Sequence, residues 1–225
     1  MGGIKLTKIK VFTNILQAND NIAQKNREIF DKNKVYTINL MSSPGSGKTS
    51  LLERTIDLIK NELRIAVIEG DLQTTNDAER IEKYGIPVVQ INTEGACHLD
   101  ANMVNSVLES FNFKAIDLLV IENVGNLVCP ASFDLGEDDK VVMVSTPEGD
   151  DKAIKYPVMF YRAGVLLINK IDLLPYTNFD RSKIKKDALN INPGIKIWEI
   201  SCRTGEGLEA WVDWLREQVE KKLAG

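Results

Sequence analysis

The chain of 225 residues has a single histidine, His98, and only three cysteines, Cys97, Cys129 and Cys202. An odd cysteine count argues against a disulfide scaffold, and one histidine excludes a histidine-rich metal tract. No apolar run approaches the ~20 residues that cross a bilayer. The N-terminus, with Lys5, Lys8 and Lys10 among apolar residues, lacks the continuous apolar centre of a signal peptide. A basic excess is missing too: the net charge of −4 argues against a nucleic-acid binder. No repeat or low-complexity tract interrupts the chain. What remains is an ordinary profile, 44% hydrophobic and 27% charged, of a size for one α/β domain with an extension. A cytoplasmic location, with no membrane and no nucleic acid as partner, is the expectation.

The most informative stretch is Val35–Thr49, VYTINLMSSPGSGKT. An apolar run ends at Ser42, a small-residue loop follows, and a helical pattern (Leu51, Leu52, Ile56, Ile59) starts just beyond Lys48. A strand that feeds such a loop into a helix N-terminus makes a phosphate cradle, because small residues let backbone N–H groups converge where the helix dipole is positive. In the pattern G-x-x-x-x-G-K-[ST], Lys48 reaches the β/γ-phosphates and the Thr49 hydroxyl ligates Mg²⁺. The first glycine of that pattern is Ser42 here, a place serine can take if its φ stays negative. Ser43, Gly45, Ser46, Gly47, Lys48, Thr49 and Ser50 are the expected nucleotide contacts. The fold expectation is a three-layer P-loop NTPase: a mostly parallel sheet with helices on both faces, preceded by an N-terminal helix.

Around this stretch, residues about 8–30 place Val11, Ile15, Ala18, Ile22 and Ile29 at helical spacing, with Asn, Gln and Lys opposite. Residues 1–34 read as an amphipathic helix and linker that covers one edge of the core or docks a partner, and 35–225 as the GTP-binding domain. Apolar strands are expected at Arg64–Glu69, Pro87–Ile91, Ile116–Ile121, Lys140–Ser145, Val165–Ile168 and Ile195–Ile200. Helices are expected at about 49–61, Asp77–Tyr84 and Leu99–Phe111, with a closing one at Leu208–Leu223. Each motif follows a strand at its C-terminal end, where ligands of such sheets lie.

Val165–Ile168 runs into Asn169-Lys170-Ile171-Asp172. A carboxylate at Asp172 can accept hydrogen bonds from guanine N1–H and its exocyclic amine, whereas adenine offers an acceptor there. Asn169 can support the base edge and the loop, and the Lys170 stem can lie along the ring. After Ile200 comes Ser201-Cys202-Arg203-Thr204-Gly205, where the Cys202 N–H can reach guanine O6. Cys202 thus reads as a small residue of the base loop rather than a metal ligand. GTP is the expected nucleotide.

Glu122 ends an apolar strand, where a carboxylate suits the shell of a phosphate-bound Mg²⁺, and Gly125 can offer its N–H to the γ-phosphate. Asp71 is a second candidate for the magnesium shell or for orienting water. Asp77 is a third, or simply an acid favoured in the first turn of a helix. Lys48, Asp71, Asp77 and Glu122 are therefore the catalytic candidates, with Thr49, Asp71 and Glu122 around magnesium. No glutamine follows Gly125 to position water, so hydrolysis by the chain alone is expected to be slow. Lys155 reads as a solvated helix lysine or as charge lent across a dimer. Cys97, His98 and Cys129 make a thiolate and imidazole set suited to Zn²⁺ or Ni²⁺, or are a buried pair of thiols beside an exposed imidazole. Neighbours 97 and 98 are expected to point apart, so that two chains are needed to complete a site.

Taken together, Ser42–Thr49, Glu122-Asn123-Val124-Gly125, Asn169–Asp172 and Cys97-His98 with Cys129 resemble the HypB family of hydrogenase nickel-incorporation GTPases, over nearly the whole chain. The resemblance implies a GTPase that dimerises with nucleotide and helps place nickel in [NiFe]-hydrogenase. The implied partners are a HypA-like nickel protein and the hydrogenase large subunit. It also implies that Asp77 is the switch aspartate. The family often carries an N-terminal cysteine cluster or histidine tract; this chain has neither before Cys97, so delivery rather than storage is expected. The competing expectations are a related GTPase serving urease or a cobalamin enzyme, and a regulatory GTP switch whose cysteines are structural.

Overall fold

The computed structural model describes residues 11–71 and 76–225. Its strands are β1 (Tyr36–Ser42), β2 (Ile65–Asp71), β3 (Val88–Asn92), β4 (Leu118–Glu122), β5 (Asp139–Ser145), β6 (Val165–Asn169) and β7 (Lys196–Glu199). They form one parallel sheet in the order β3-β2-β4-β1-β5-β6-β7. The helices are α1 (Val11–Lys32), α2 (Lys48–Ile59), α3 (Asn76–Glu82), α4 (Ala101–Val107), α5 (Lys152–Lys155), α6 (Pro157–Arg162), α7 (Arg181–Ile191) and α8 (Leu208–Ala224). This is the expected three-layer architecture.

The pleat sorts the apolar runs between two faces. Ile38, Leu40, Val120, Met143 and Leu167 pack on one face against Leu52 and Ile56 of α2 and Trp211 and Leu215 of α8. On the other face, Val142, Val144, Leu166 and Ile168 meet Met159 and Phe160 of α6 and Ile184 and Ala188 of α7. Further along that face, Ala66, Ile68, Leu119 and Ile121 meet Phe30 of α1 and Val104 of α4. No helix among the described residues is long and apolar enough to cross a membrane.

Two expectations need correction. The buried face of α1 is Asn19, Ala23, Asn26 and Phe30, while Ile15 is 49% exposed and Ala18 also faces solvent. The reason is polar: Asn26 Nδ2 donates to the carbonyls of Ala101 (2.9 Å) and Leu135 (3.0 Å), and its Oδ1 accepts from Asn105 (2.8 Å). Asn19 Nδ2 donates to the Asp134 carbonyl at 2.8 Å, and Asn19 Oδ1 accepts from the Ala101 N–H at 2.9 Å. Asparagines fastened to the start of α4 and to the 134–135 loop thus occupy the stripe that periodicity reserves for isoleucines. Residues 8–10 of the expected helix lie outside the described residues. The linker is also shorter than expected, since α1 continues through Lys32 and the turn is made by Asn33 and Lys34, the latter at φ 56°. Replacing Asn26 by alanine is expected to cost about 2–3 kcal/mol, because two buried carbonyls lose their donor. A lower urea midpoint at unchanged m-value is the measurement.

Helices α5, α6 and α7 were not among the expected elements. α5 and α6 are a single turn and a short helix joined at Tyr156, with Pro157 opening the second. α7 buries only Ile184 and Ala188, too few for a clear stripe, and its start is set by Asp180, which caps the N–H groups of Ser182 (2.9 Å) and Lys183 (3.1 Å).

Candidate functional site

The C-terminal ends of β1, β2, β4 and β6 converge on an open cavity of about 460 Å³ lined by Gly45, Lys48, Thr49, Asp71, Asp77, Glu122 and Gly125, among others. A second cavity of about 310 Å³, lined by Asn169, Lys170, Asp172 and Cys202, shares Gly47, Ser50 and Lys170 with the first. Together they form one elongated trough across the phosphate loop. A further cavity, about 710 Å³, lies beyond the N-terminal ends of β5 and β6, lined by Arg27, Asp134, Glu137 and Lys140, which form the pairs Arg27–Asp134 and Lys140–Glu137. It holds none of the motif residues.

Gly47 precedes α2 at φ 104°, and a Cβ there would fall 2.7 Å from Asn169 Nδ2, so only glycine fits. No side chain caps α2, which leaves its first N–H groups facing the cavity. Ser42 is absent from the positive-φ residues, as the serine variant of the motif requires. Ser46 is fully buried and donates to the Ser43 carbonyl (2.8 Å) and Glu148 Oε1 (2.6 Å). Gly125 abuts Pro44 of the loop.

Lys48 Nζ lies 3.7 Å from Glu122 Oε1, which also accepts from the Thr49 hydroxyl at 3.2 Å. Register places Glu69 of β2 beside Glu122 of β4, and both are 2% exposed. Burial, then the neighbouring Glu122, pushes Glu69 up to about 11, so it keeps its proton at neutral pH. Glu122 is raised as well, by burial first, with Lys48 and its hydrogen bonds to Glu69 and Thr49 opposing the rise. Sequence reading passed over Glu69 because an acid before Gly70-Asp71 looks like a strand end; only register reveals the pair. Asp77, in the first turn of α3, is held by Arg80 at 3.0 Å, and Arg80 also grips Glu53. Asp71 lines the phosphate cavity, and its carbonyl accepts from the Thr93 N–H at 3.0 Å. Lys155 pairs with Asp151 at 2.6 Å on the surface.

In the base trough, Ser201 Oγ, fully buried, donates to Asp172 Oδ1 at 2.6 Å. Asn169 serves the loops: its Nδ2 donates to the Ser46 carbonyl (2.9 Å) and its Oδ1 accepts from the Cys202 N–H (3.2 Å). The N–H expected to meet guanine O6 is therefore engaged by Asn169 in this conformation. Lys170 adopts φ 62° and donates to the Gly45 carbonyl at 2.6 Å, so its stem bridges the phosphate and base loops. Arg54 of α2, unremarked in the sequence, fastens the carbonyls of Cys202 (2.8 Å) and Arg203 (3.1 Å). Burial pushes the Cys202 thiol up to about 11.

The loop after β3 turns sharply through Glu94 (φ 50°) and Gly95 (φ 96°), closed by Thr93 Oγ1, which donates to the Ala96 carbonyl at 2.8 Å. The chain bends again at Cys97 and His98, and their side chains do not point apart. Cys97 Sγ and His98 Nδ1 are 3.5 Å apart, and one donor atom from each of Cys97, His98 and Cys129 lies within 4.8 Å of the others. The Cys97 thiol is raised, first by its hydrogen bond with Cys129 and then by burial, while burial lowers His98 and keeps its imidazole neutral. His98 lies on Phe133, ring centroids 4.0 Å apart.

Residues 36–199 match the nucleotide-binding domain of the CobW/HypB/UreG family. The hydrogenase maturation factor HypB of Rhizobium leguminosarum bv. viciae is 50% identical over 221 residues, covering 96% of this chain and 74% of that protein. The crystal structure of hydrogenase maturation factor HypB from Archaeoglobus fulgidus is similar at TM-score 0.85 and 46% identity, covering 91% of this chain and all of that one. The structure of HypB from Helicobacter pylori in complex with nickel is similar at TM-score 0.86 and 40% identity, covering 91% of this chain and 96% of that one. The chain belongs to the HypB hydrogenase maturation factors of the CobW/HypB/UreG family.

Proposed function

We propose that this protein is a GTP-hydrolysing metallochaperone that delivers nickel during [NiFe]-hydrogenase maturation, with GTP-dependent dimerisation coupled to the Cys97–His98–Cys129 metal site, and that it hands its cargo to the maturation machinery. Its partners on this reading are a HypA-like nickel protein and the hydrogenase large subunit. The observation that carries it is the juxtaposition of a Cys/His set with the phosphate cavity: the Asn126 carboxamide, one residue past Gly125, donates to the Cys97 carbonyl at 3.2 Å. Soft sulfur and imidazole donors suit Ni²⁺ or Zn²⁺ and not Mg²⁺. The nickel complex of the Helicobacter pylori relative favours nickel as cargo.

Lys48 serves the β/γ-phosphates, and Asp172, held by Ser201, reads the guanine edge. Magnesium fits at Thr49 and Glu122, two oxygen donors 3.2 Å apart that line the phosphate cavity together with Asp71. When bound, it would neutralise charge on the phosphates. Asp77, tied to Arg80 in α3, is positioned to respond to the γ-phosphate. Three donors from one chain leave a tetrahedral ion one ligand short, which a second copy can supply.

Titrating the protein with Ni²⁺ and Zn²⁺ in GDP and in a non-hydrolysable GTP analogue, with mass read by light scattering, tests the reading. The expected result is a doubled mass with the analogue and a Ni²⁺ affinity that differs between the two states. Equal metal affinity in both would overturn the coupling.

A further inference from the structure

The loop that carries Cys97 and His98 ends at Leu99, which is fully buried and shares no chemistry with a metal. Its surroundings connect it to both acidic strand ends of the phosphate cavity. The Leu99 N–H donates to Asn123 Oδ1 at 3.0 Å, and Asn123, 1% exposed, directly follows Glu122. The same oxygen accepts from the Val124 N–H at 3.0 Å, while Asn123 Nδ2 donates to Asn39 of β1 at 3.1 Å. The Leu99 side chain lies over Gly70, between Glu69 and Asp71: a Cβ on Gly70 would fall 2.8 Å from Leu99 Cγ and Cδ1. Glycine is required there because the leucine occupies the space.

On its far side Leu99 meets a fixed point. Asp100 caps α4 through the Met103 N–H (2.8 Å), and the Ala101 N–H is held by Asn19 of α1 (2.9 Å). Leu99 thus stands between the ends of β2 and β4 and a helix start that is anchored to α1. A close-packed interior passes such a displacement on instead of absorbing it.

We propose that Leu99 is the positioning residue through which the nucleotide cavity and the Cys97–His98–Cys129 cluster sense one another, by its side chain on Gly70 and its amide on Asn123. The proposal rests on the nucleotide–metal coupling put forward above. It assigns that coupling to a packed contact in addition to a covalent route, the short peptide that runs from Glu122 through Gly125 to Cys129. When the γ-phosphate draws the ends of β2 and β4 together, Leu99 shifts with them and changes the separation of Cys97 and His98 from Cys129.

The test is the ratio of Ni²⁺ dissociation constants in GDP and in a non-hydrolysable GTP analogue, measured by competition with a chromophoric chelator. In the unaltered protein that ratio is expected to differ from unity by about 10-fold. Leu99→Ala is expected to bring it within about twofold of unity while it still binds Ni²⁺ in the GDP state, and Leu99→Met, which conserves volume, to restore it. A merely structural role would lower both affinities together and leave the ratio unchanged. Should Leu99→Ala not fold, as judged by circular dichroism, Leu99→Val takes its place, with the ratio expected to fall by at least about threefold. A ratio in a folded variant equal to that of the unaltered protein overturns the role of Leu99 and leaves the covalent route alone. A ratio of unity in the unaltered protein overturns the coupling itself, and with it this proposal.

Discussion

GTP affinity is expected to fall by about 100- to 1,000-fold when Asp172 is replaced by alanine, since two charge-assisted hydrogen bonds to the guanine edge are lost together. The carboxylate stands at the floor of the base trough, and the buried Ser201 hydroxyl orients it at 2.6 Å. Adenine places a lone pair where guanine carries N1–H, so the same carboxylate repels ATP. The substitution should therefore narrow the gap between GTP and ATP from both sides. Calorimetric titration with GDP, a GTP analogue and an ATP analogue is the measurement. Ser201→Ala, which leaves the carboxylate in place but frees it to rotate, is expected to cost only about 10-fold. Undiminished preference for guanine in Asp172→Ala would show that base recognition lies elsewhere in the trough.

The second large effect concerns the cysteines of the proposed metal site. Cys129→Ala or Cys97→Ala is expected to weaken Ni²⁺ and Zn²⁺ binding by roughly 100-fold or more, because each removes one of three donors and changing even an outer-shell partner costs 10- to 100-fold. Loss of sulfur-to-nickel charge-transfer absorption should accompany it. Cys202→Ala should leave the absorption intact, because that thiol belongs to the base loop. The pH dependence follows from the free protein. Cys97 is raised by Cys129, so ion binding must displace a proton, and affinity rises with pH until the thiol ionises unaided. His98, lowered by burial, is already neutral at pH 7 and adds no dependence there. An affinity flat from pH 6 to 8 would contradict thiolate ligation.

Much of the sheet could be read directly, because strands buried on both faces appear as unbroken apolar runs such as Leu118–Ile121 and Val165–Ile168. The helices were legible in proportion to their stripes: α2 and α8 show one, whereas α7 has two buried residues and α5 and α6 are too short for any. α1 was legible as a helix but not in its orientation, since Asn19 and Asn26 gain their buried partners from α4 and the 134–135 loop, more than 70 residues away. Within the trough, contiguous motifs identified Lys48, Thr49 and Asp172 as candidates. Glu69 and Arg54 escaped notice, and Asn123 stood only as part of a motif, because their significance lies in cross-strand register and tertiary contact. For Cys97 and His98, the expectation that neighbours point apart fails because the chain bends at those two residues, which spacing does not reveal.

The asparagine face of α1 also bears on where the chain can be cut. A fragment begun at Val35 would bare the face of α4 and the 134–136 loop on which α1 lies, and would strand the Ala101 and Leu135 carbonyls. Such a remnant would invite self-association through its newly wetted flank. The leading helix is thus a structural wall of the nucleotide-binding unit, and shortening the protein to its recognisable motifs would breach it.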